Sequence, residues 1–341
     1  IANGIGAPNL KWEKNTQADL AVEFSTLKNR FSGSVEYYNR KTDGLIFEVP
    51  NPLSLGLDNR VENIGSMYNH GVEVSLNAMF VKSQDFSWNL NINASTIKNK
   101  ITSLPQEEII NGSKKYTVGS SIYDYWLRDW YGVDSSDGYA LYISDPKLIV
   151  VGDAEQRVVN GVNVTTNHTK ALYHYAGSAL PDLFGSFTNT FKYGGLELSL
   201  MFTYQLGGLT YDTNYASLMH SGNQYGSALS TDILNRWQKP GDVTNVPRLD
   251  VNRETQNSAG SDRWLVDSDY LSFRQANLAY NLPSNLTNKL GVDSMRFFVN
   301  GENLILFTKR EGMDPTQNFN GTTQNRFAPS RVISLGLNLN F

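Results

Sequence analysis

Long runs of alternating apolar and polar residues are the feature that most restricts how this chain can fold. In the clearest run, LELSLMFTYQL at 196–206, apolar residues occupy the even positions and mostly polar residues the odd ones. GVEVSLNAMF at 71–80 and WNLNINAST at 88–96 repeat the pattern. Successive side chains of a strand point to opposite faces, so these runs predict strands whose two faces meet different media.

The alternation predicts an all-β protein with very little helix. Eleven candidate strands follow, at 18–28, 31–42, 71–80, 88–96, 122–132, 138–144, 182–193, 196–206, 267–281, 294–307 and 331–341. Most are longer than the strands of globular proteins and long enough for a tilted strand to cross a hydrocarbon core. Their polar faces carry Asn, Ser, Thr and Glu, not the Lys-rich mixture of a soluble surface. This combination is typical of a transmembrane antiparallel β-barrel with a hydrated lumen.

The connections between candidate strands alternate in length. The short ones are 28–30, 81–84, 133–137, 194–195 and the intermediate 282–293, and the long ones are 44–66, 101–121, 145–181, 207–266 and 308–330. An up-and-down barrel with tight periplasmic turns and long external loops produces this order. The first and last strands then both run toward the periplasm, which requires an odd number of strands. Because bacterial single-chain barrels have even numbers, we expect residues 1–341 to be the C-terminal part of one larger barrel domain. Doubling eleven gives 22 strands, the number in plugged outer-membrane transporters.

Composition excludes several classes of protein. The chain has no cysteine, so disulfide frameworks, zinc–thiolate sites and cysteine nucleophiles are excluded. The net charge is −4 without a basic run, so the electrostatic footprint of a nucleic-acid binder is missing. There is no apolar run long enough for a transmembrane helix, and the first residues do not resemble a signal peptide. The chain is therefore expected to be a mature or internal piece of a longer product.

Motif searches predict neither an enzyme nor a metal or cofactor site. His168 and His174 share the connection 145–181, but no spacing of His, Asp and Glu indicates a metal centre. DSSDG at 134–138 lacks the later ligands of a calcium loop and is interpreted as a tight turn. No nucleophile elbow or phosphate-binding loop is present.

Several segments resemble one family of transporters. They include GSVEYYNRKTDGLI (33–46), LPDLFGSFTNTFKYGGLELSLMFTYQLGG (180–208), RWQKPGD (236–242), YLSFRQANLAYNLP (270–283) and RFFVNGENL (296–304). Together with NLKWE at 9–13, they are similar in sequence and order to the barrel of SusC/RagA-type TonB-dependent transporters. The resemblance implies 22-stranded barrels in the outer membrane of Bacteroidota, with an N-terminal plug and a SusD-like surface lipoprotein as lid.

The same resemblance implies import of oligosaccharides or peptides, energised by TonB. The plug and the TonB box have no counterpart in this sequence, so contact with TonB is expected through a missing N-terminal part. Further expected partners are outer-membrane lipid, lipopolysaccharide and the barrel-assembly machinery. The terminal Phe341 resembles the C-terminal aromatic residue by which outer-membrane barrels are recognised for assembly.

Aromatic residues in the loops are the candidate ligand contacts, because ring faces stack on sugars or peptide side chains. The candidates are Trp126, Trp130, Tyr139, Tyr215, Tyr225, Trp237 and Trp264. The alternatives are an interfacial aromatic girdle and the internal cores of loops. The residues predicted to face the lumen are Glu73, Asn89, Asn91, Glu197, Ser334, Asn338 and Asn340. These could contact substrate, pack against a plug or simply be hydrated.

Other functions remain compatible with the pattern. A passive porin-like barrel, an enzymatic outer-membrane barrel and a transporter specific for peptides share the alternation. A soluble all-β adhesin or lectin is a further alternative, although it has no reason to sort its loops by length.

Overall fold

The computed structural model describes residues 7–49, 51, 54, 56, 60–317, 319–324 and 326–341. In chain order, the strands are β1 (Lys14–Thr26), β2 (Phe31–Asp43), β3 (Ile46–Val49), β4 (Arg60–Asn63), β5 (Ser66–Lys82), β6 (Phe86–Ser95), β7 (Lys98–Ser103), β8 (Glu108–Asn111), β9 (Lys114–Thr117), β10 (Asp124–Arg128), β11 (Trp130–Val133), β12 (Ala140–Ile143), β13 (Gln156–Val159), β14 (Val162–Thr165), β15 (Tyr173–Ser178), β16 (Leu183–Tyr193), β17 (Leu196–Leu206), β18 (Leu209–Tyr211), β19 (Leu265–Asp267), β20 (Tyr270–Asn281), β21 (Ser294–Thr308) and β22 (Val332–Asn340). The α-helices are α1 (Thr213–Leu218), α2 (Glu254–Asn257) and α3 (Ser284–Leu290). Short 3₁₀ helices cover Pro146–Leu148, His168–Lys170, Thr231–Asn235, Val251–Arg253, Asp262–Trp264 and Pro315–Gln317. No helix in the described ranges is both long and apolar enough to cross a membrane.

One large antiparallel sheet organises the described residues. Its order is β1-β2-β5-β6-β16-β17-β20-β21-β22, and β7 pairs with the first part of β5. Each strand pairs with the next strand of this order along the chain, which is the up-and-down arrangement predicted from the alternation. The predicted all-β, antiparallel fold class is confirmed.

The predicted count of eleven strands in this sheet is wrong. Nine strands form the main order, because the runs at 122–132 and 138–144 fold into smaller sheets. In the first run, buried and partly exposed residues alternate along β10, whereas Ala140, Leu141 and Tyr142 of the second run are all buried. As strands they are only four or five residues long, too short to cross a membrane. Nine is also an odd number, so the argument that the first and last strands run in the same direction still holds. Because the count of eleven is wrong, doubling it no longer predicts how many strands the whole barrel has.

Connections of the large sheet are sorted by length between its two ends. At one end lie the turns 27–30, 83–85 and 194–195 and the connection 282–293, which contains α3. At the other end lie 44–65, 96–182, 207–269 and 309–331. The segment 133–137, which the sequence predicted to be a periplasmic turn, belongs to the connection 96–182. With this correction, the predicted alternation of short and long connections holds throughout the sheet.

The large sheet has one apolar face, and that face is exposed. Paired residues point to the same side of a sheet, so Phe187, Phe202 and Phe273 form a stack across three strands, with ring centroids 5.0 and 4.6 Å apart. On the last strand, Ile333 is 69% exposed and Leu335 is 81% exposed. An exposed apolar band of this extent is what a barrel presents to lipid.

The opposite face of the large sheet is polar. One row of directly paired residues crosses six strands and consists of Asn89, Thr190, Ser199, Asn277, Asn300 and Ser334. All seven residues predicted to face the lumen lie on this face. Asn91 accepts a hydrogen bond from the Asn77 amide at 2.8 Å, and Glu197 pairs with both Lys192 and Arg296. Their position in a lumen stays a prediction.

A matched pair of substitutions on β17 tests which face meets hydrocarbon. Leu200 lies on the apolar face and its neighbour Ser199 on the polar face. We expect Leu200→Lys in the full-length protein to destabilise the inserted barrel by about 2–4 kcal/mol, because a charge would be buried in lipid. Ser199→Lys is the control and should retain near-normal levels. Quantifying folded protein in outer-membrane fractions measures both, and equal levels of the two variants would contradict the assignment of faces.

Candidate functional site

The long connections fold into compact small sheets that share buried cores. One sheet has the order β15-β10-β9-β8, and another has the order β11-β12-β14-β13. Tyr125 and Leu127 of β10 are 0% and 4% exposed and pack against Leu209, Tyr211 and Leu265 of the connection 207–269. The two longest connections are therefore packed against each other, which gives side chains on this side of the barrel a fixed scaffold.

Three aromatic side chains lie together on the outward face of the β10–β15 pair. Trp126 pairs with Tyr175 across the strands, and their ring centroids are 4.9 Å apart. Tyr173 lies 6.2 Å from Trp126 with nearly parallel rings. Tyr173 and Tyr175 are 36% and 42% exposed. We call Trp126, Tyr173 and Tyr175 the aromatic platform.

Two cations flank the aromatic platform. The Lys115 ammonium lies 4.2 Å from the Trp126 ring centre, and the Arg128 guanidinium lies 4.7 Å from that of Tyr173. Arg128 also donates a hydrogen bond to the His168 carbonyl at 2.8 Å, which fixes its position. The two cations therefore lie over ring faces of Trp126 and Tyr173, and Lys115 is also paired with Glu108. The ring surface that they leave exposed can stack on sugar rings or peptide side chains.

Behind the platform, Tyr125 anchors the small sheet to two other connections. Its hydroxyl donates to the Leu209 carbonyl at 3.0 Å and also contacts the Gly321 carbonyl. Burial raises the pKa of Tyr125 far above its ordinary value, so the hydroxyl stays a donor. Gly321 has a φ of +85° and faces the Tyr125 hydroxyl, so a larger residue there would be both strained and obstructed.

Lys114 lies in the same buried region. Its ammonium is 3.3 Å from the Tyr125 ring centre and donates to the Tyr123 carbonyl at 2.6 Å. Burial lowers the pKa of Lys114 to about 7, although the nearby Asp124 carboxylate acts in the opposite direction. The charged form of this side chain is therefore costly in the folded loops near neutral pH.

Three of the predicted ligand aromatics are engaged by neighbouring loop residues. Trp130 packs edge-on against Tyr142 at 5.3 Å, with the Arg263 guanidinium 4.5 Å from its ring centre. The Tyr139 hydroxyl accepts a hydrogen bond from Arg248 at 2.9 Å, and the Arg248 and Arg253 guanidiniums lie 4.3 and 4.0 Å from its ring centre. The Trp237 indole donates to the Ser135 carbonyl at 3.0 Å. Each of the three is partly buried, and these contacts leave only part of its ring accessible.

Trp264 is a core residue in this structure, which corrects its prediction as a ligand contact. It is 2% exposed, packs with Met219, Ile233 and Val246, and donates its indole hydrogen to the Ala259 carbonyl at 3.1 Å. No ring face is open to a ligand, because the connection 207–269 uses this side chain as the centre of its own small core.

Tyr215 and Tyr225 have opposite environments. Tyr225 is 96% exposed. Tyr215 donates its hydroxyl to Asp232 at 2.7 Å and lies 3.4 Å below the Arg310 guanidinium. Tyr215 and Arg310 line a polar cleft of about 330 Å³ between the connections 207–269 and 309–331. Among the predicted aromatics, Tyr215 lines a cleft and Trp126 belongs to the aromatic platform, and contact of either with a ligand stays a prediction.

A second cleft, of about 530 Å³, lies between the ends of β20 and β21 and the connection 309–331. It is lined in part by Ile305 and Phe307, which are 47% and 56% exposed. Arg274 also lines it, at a point where the register of β20 shifts against both of its neighbours. Such irregularities redirect a side chain away from the regular faces of a sheet.

Comparison with known proteins places this architecture in a family. A family model described as "TonB dependent receptor-like, beta-barrel" matches residues 1–200, more than half of the 341-residue chain. The chain belongs to this family of TonB-dependent-receptor barrels. Membership implies a location in the outer membrane.

Curated relatives of this TonB-dependent-receptor barrel are considerably longer than the chain. TonB-dependent receptor P3 of Formosa agariphila is 30% identical over 98% of this chain and 34% of its own length. TonB-dependent receptor SusC of Bacteroides thetaiotaomicron is 26% identical over 98% of this chain and 32% of its own length. The chain thus spans about a third of the length of these relatives.

Solved structures share the fold of this TonB-dependent-receptor barrel. The RagAB peptide transporter matches with a TM-score of 0.83 and 23% identity, over 99% of this chain and 36% of that chain. The RagAB peptide importer in its closed-closed state matches with a TM-score of 0.85 and 23% identity, over 98% of this chain and 36% of that chain. At this level of identity, the likeness shows a shared fold and nothing beyond it.

Sequence reasoning missed two of the three platform residues of this TonB-dependent-receptor barrel. Tyr173 and Tyr175 lie in the segment 145–181, which the sequence predicts to be a long external connection. The local signal was the alternation YHYAGS at 173–178, which forms β15. The run is only six residues long, so it does not stand out among the membrane-length strands.

The lowered pKa of Lys114 predicts a pH dependence of loop stability. Between about pH 7 and 10.5, the unfolded loop binds more protons at this position than the folded loop, so stability rises with pH in that window. Lys114→Met removes the titrating group. We therefore expect wild-type resistance to proteolysis within 96–182, relative to the variant, to increase from pH 7 to pH 9.

Mass spectrometry of cleavage products at several pH values measures this difference. Lys100→Met, which changes an exposed lysine of β7, serves as the control and should keep the wild-type pH profile. A Lys114→Met profile parallel to that of the wild type would show that Lys114 does not titrate in this range.

Proposed function

We propose that this chain is the C-terminal part of the barrel of an outer-membrane importer that takes up oligosaccharides in the manner of SusC. TonB would supply energy through a plug upstream of the chain, and a SusD-like surface lipoprotein would cover the long connections. Support comes from family membership, the two-faced sheet and the sorted connections. The barrel would be inserted by the assembly machinery into a membrane of lipid and lipopolysaccharide.

The aromatic platform is the observation that carries the choice of an oligosaccharide. Trp126, Tyr173 and Tyr175 present neighbouring rings on a rigid sheet, with Lys115 over the ring of Trp126 and Arg128 over that of Tyr173. Sugar rings stack on aromatic faces while their hydroxyls bond to charged donors. Successive rings of an oligomer would occupy the platform before they enter the barrel.

The polar face of the large sheet would form one wall of the translocation path. Its amide and hydroxyl groups can exchange hydrogen bonds with a passing hydrated ligand at little cost. The Asn89 side-chain oxygen is buried and has no hydrogen-bond partner among the described residues. In the whole protein, this oxygen would bond to water, to the plug or to the substrate.

A peptide is the second candidate substrate. The larger cleft beside β20 and β21 combines the apolar side chains of Leu306 and Met313 with the charged Arg274. Apolar walls with a few polar groups suit the side chains and termini of a short peptide. The structurally similar RagAB is itself a peptide transporter.

A direct uptake experiment separates the two substrates. Cells carrying the whole transporter, or lacking it, would receive a defined oligosaccharide mixture or a tryptic peptide pool. Mass spectrometry would follow depletion from the medium. Transporter-dependent and TonB-dependent depletion of oligosaccharides is the expected result. Depletion of peptides alone would contradict the oligosaccharide and favour a peptide as the substrate. Uptake that persists without TonB would indicate a passive barrel.

Substitution within the platform tests its role in binding. We expect Trp126→Ala to weaken binding of the transported oligosaccharide by about fivefold, since a lost stacking contact is worth about 1 kcal/mol. Tyr193→Ala removes an exposed aromatic residue beside the turn 194–195, at the opposite end of the large sheet, and should leave the affinity unchanged. Isothermal titration calorimetry on the purified transporter measures both variants. Equal affinities for Trp126→Ala and the wild type would remove the platform from the binding site.

The terminal residue is predicted to act in assembly. Phe341 is 86% exposed beyond the end of β22, so it contributes little to packing here. Phe341→Asp should lower the amount of inserted protein much more than it lowers uptake per inserted molecule, whereas Phe341→Tyr keeps the aromatic ring and should insert normally. Surface labelling and uptake assays provide the two measurements. Normal surface levels of Phe341→Asp would refute the assignment.

A further inference from the structure

Three side chains with metal-binding atoms converge between the two longest connections. Asp129 follows β10, His174 is the second residue of β15, and Asp262 begins the 3₁₀ helix Asp262–Trp264. One ligand atom from each of the three lies within 4.8 Å of the other two. The three positions are far apart in the sequence, so the packing of one connection on the other creates this cluster.

Backbone contacts hold the cluster in place. The Asp129 amide donates to the Leu172 carbonyl at 2.9 Å, which ties the end of β10 to the start of β15. One carboxylate oxygen of Asp262 accepts a hydrogen bond from the Trp130 amide at 2.9 Å. Ligands fixed by the backbone in this way are already arranged for a metal ion before it binds.

The cluster lacks a permanent positive charge. His174 Nε2 lies 3.1 Å from Asp262 Oδ2, but a histidine is charged only when it is protonated. Within the described part of the chain, no hydrogen bond to the Asp129 carboxylate is found. Two carboxylates so close together are favoured by a cation between them.

The neighbouring arginines are engaged elsewhere. Arg128 donates to the carbonyls of His168 and Gly260 and lies over the ring of Tyr173. Arg263 lies over the rings of Trp130 and Trp264 and bonds to a backbone carbonyl. Neither forms an ion pair with Asp129 or Asp262 in the described structure.

We propose that Asp129, His174 and Asp262 bind a divalent transition-metal ion such as Zn²⁺. Calcium and magnesium favour sites made of oxygen alone, whereas an imidazole nitrogen with two carboxylates suits zinc, manganese or iron. Three protein ligands leave at least one coordination position for water. The ion would cross-link the connections 96–182 and 207–269.

The position of His174 links this site to the aromatic platform. His174 lies between Tyr173 and Tyr175 on β15, and alternation points it to the opposite side of the strand. A metal bound there would fix the strand that carries two of the three platform rings. Metal binding would therefore stabilise the loop scaffold without touching the ligand surface.

Zinc titration of the purified full-length protein tests the site. After removal of metals by a chelator, calorimetry with ZnCl₂ should find one Zn²⁺ more per molecule in the wild type than in Asp129→Asn. Asparagine is about as large as aspartate, and the Asp129 carboxylate accepts no hydrogen bond from the described residues. The Asp129→Asn variant should therefore fold normally. His174→Gln should weaken this zinc site at least about 100-fold, since even residues that only support metal ligands contribute 10–100-fold. His168→Gln, which changes another histidine of the same connection, should bind zinc as the wild type does.

Zinc-dependent protection of the connections provides a second measurement. Saturating Zn²⁺ should slow proteolysis within 96–182 and 207–269 in the wild type and in His168→Gln, but not in Asp129→Asn. Identical zinc stoichiometry and affinity in the wild type, Asp129→Asn and His174→Gln would overturn the proposal. If zinc binding depends on the three residues but does not slow proteolysis in either connection, the metal site is supported and the proposed cross-link is wrong.

Discussion

Backbone hydrogen bonding in a medium without water is the constraint on which the rest of this structure depends. Each unpaired amide or carbonyl in hydrocarbon costs several kcal/mol, so a spanning sheet must pair its strands without interruption. Nine strands here satisfy that demand by pairing in chain order, from β1 to β22. Neighbour-to-neighbour pairing forces successive strands to run in opposite directions, and this sorts the connections into two sets at the two ends of the sheet.

Burial is distributed in the reverse of the usual globular pattern. Apolar side chains of the large sheet, such as Leu335, are exposed, while the well-packed cores lie in the long connections around Tyr125, Tyr142 and Trp264. The first arrangement suits contact with lipid. The second supplies the rigidity that a ligand surface needs when it is built on loops, because each small sheet is packed against another connection.

The strand β15 joins the two sites of the outer connections. Its outward face carries Tyr173 and Tyr175 of the aromatic platform, and its other face carries His174 beside Asp129 and Asp262. Alternation along a single strand thus separates a surface for binding from a cluster suited to a cross-linking ion. β15 pairs with β10, the strand that supplies Trp126, so this pairing places both faces of β15 beside β10.

The sequence by itself located the nine strands of the large sheet among eleven candidates, and it determined the two faces of each and the alternation of short and long connections. These follow from period-two alternation, which is local and reports the polarity on either side of a strand. Alternation could not separate the membrane strands from the strands in 122–132, because a local pattern does not show whether the apolar side of a strand meets lipid or the core of a loop. Nor could it distinguish the buried Trp264 from the partly exposed Trp126 of the platform. The cluster of Asp129, His174 and Asp262 was also decided only by tertiary structure, since a local pattern carries no information about which distant segments meet when long connections pack together.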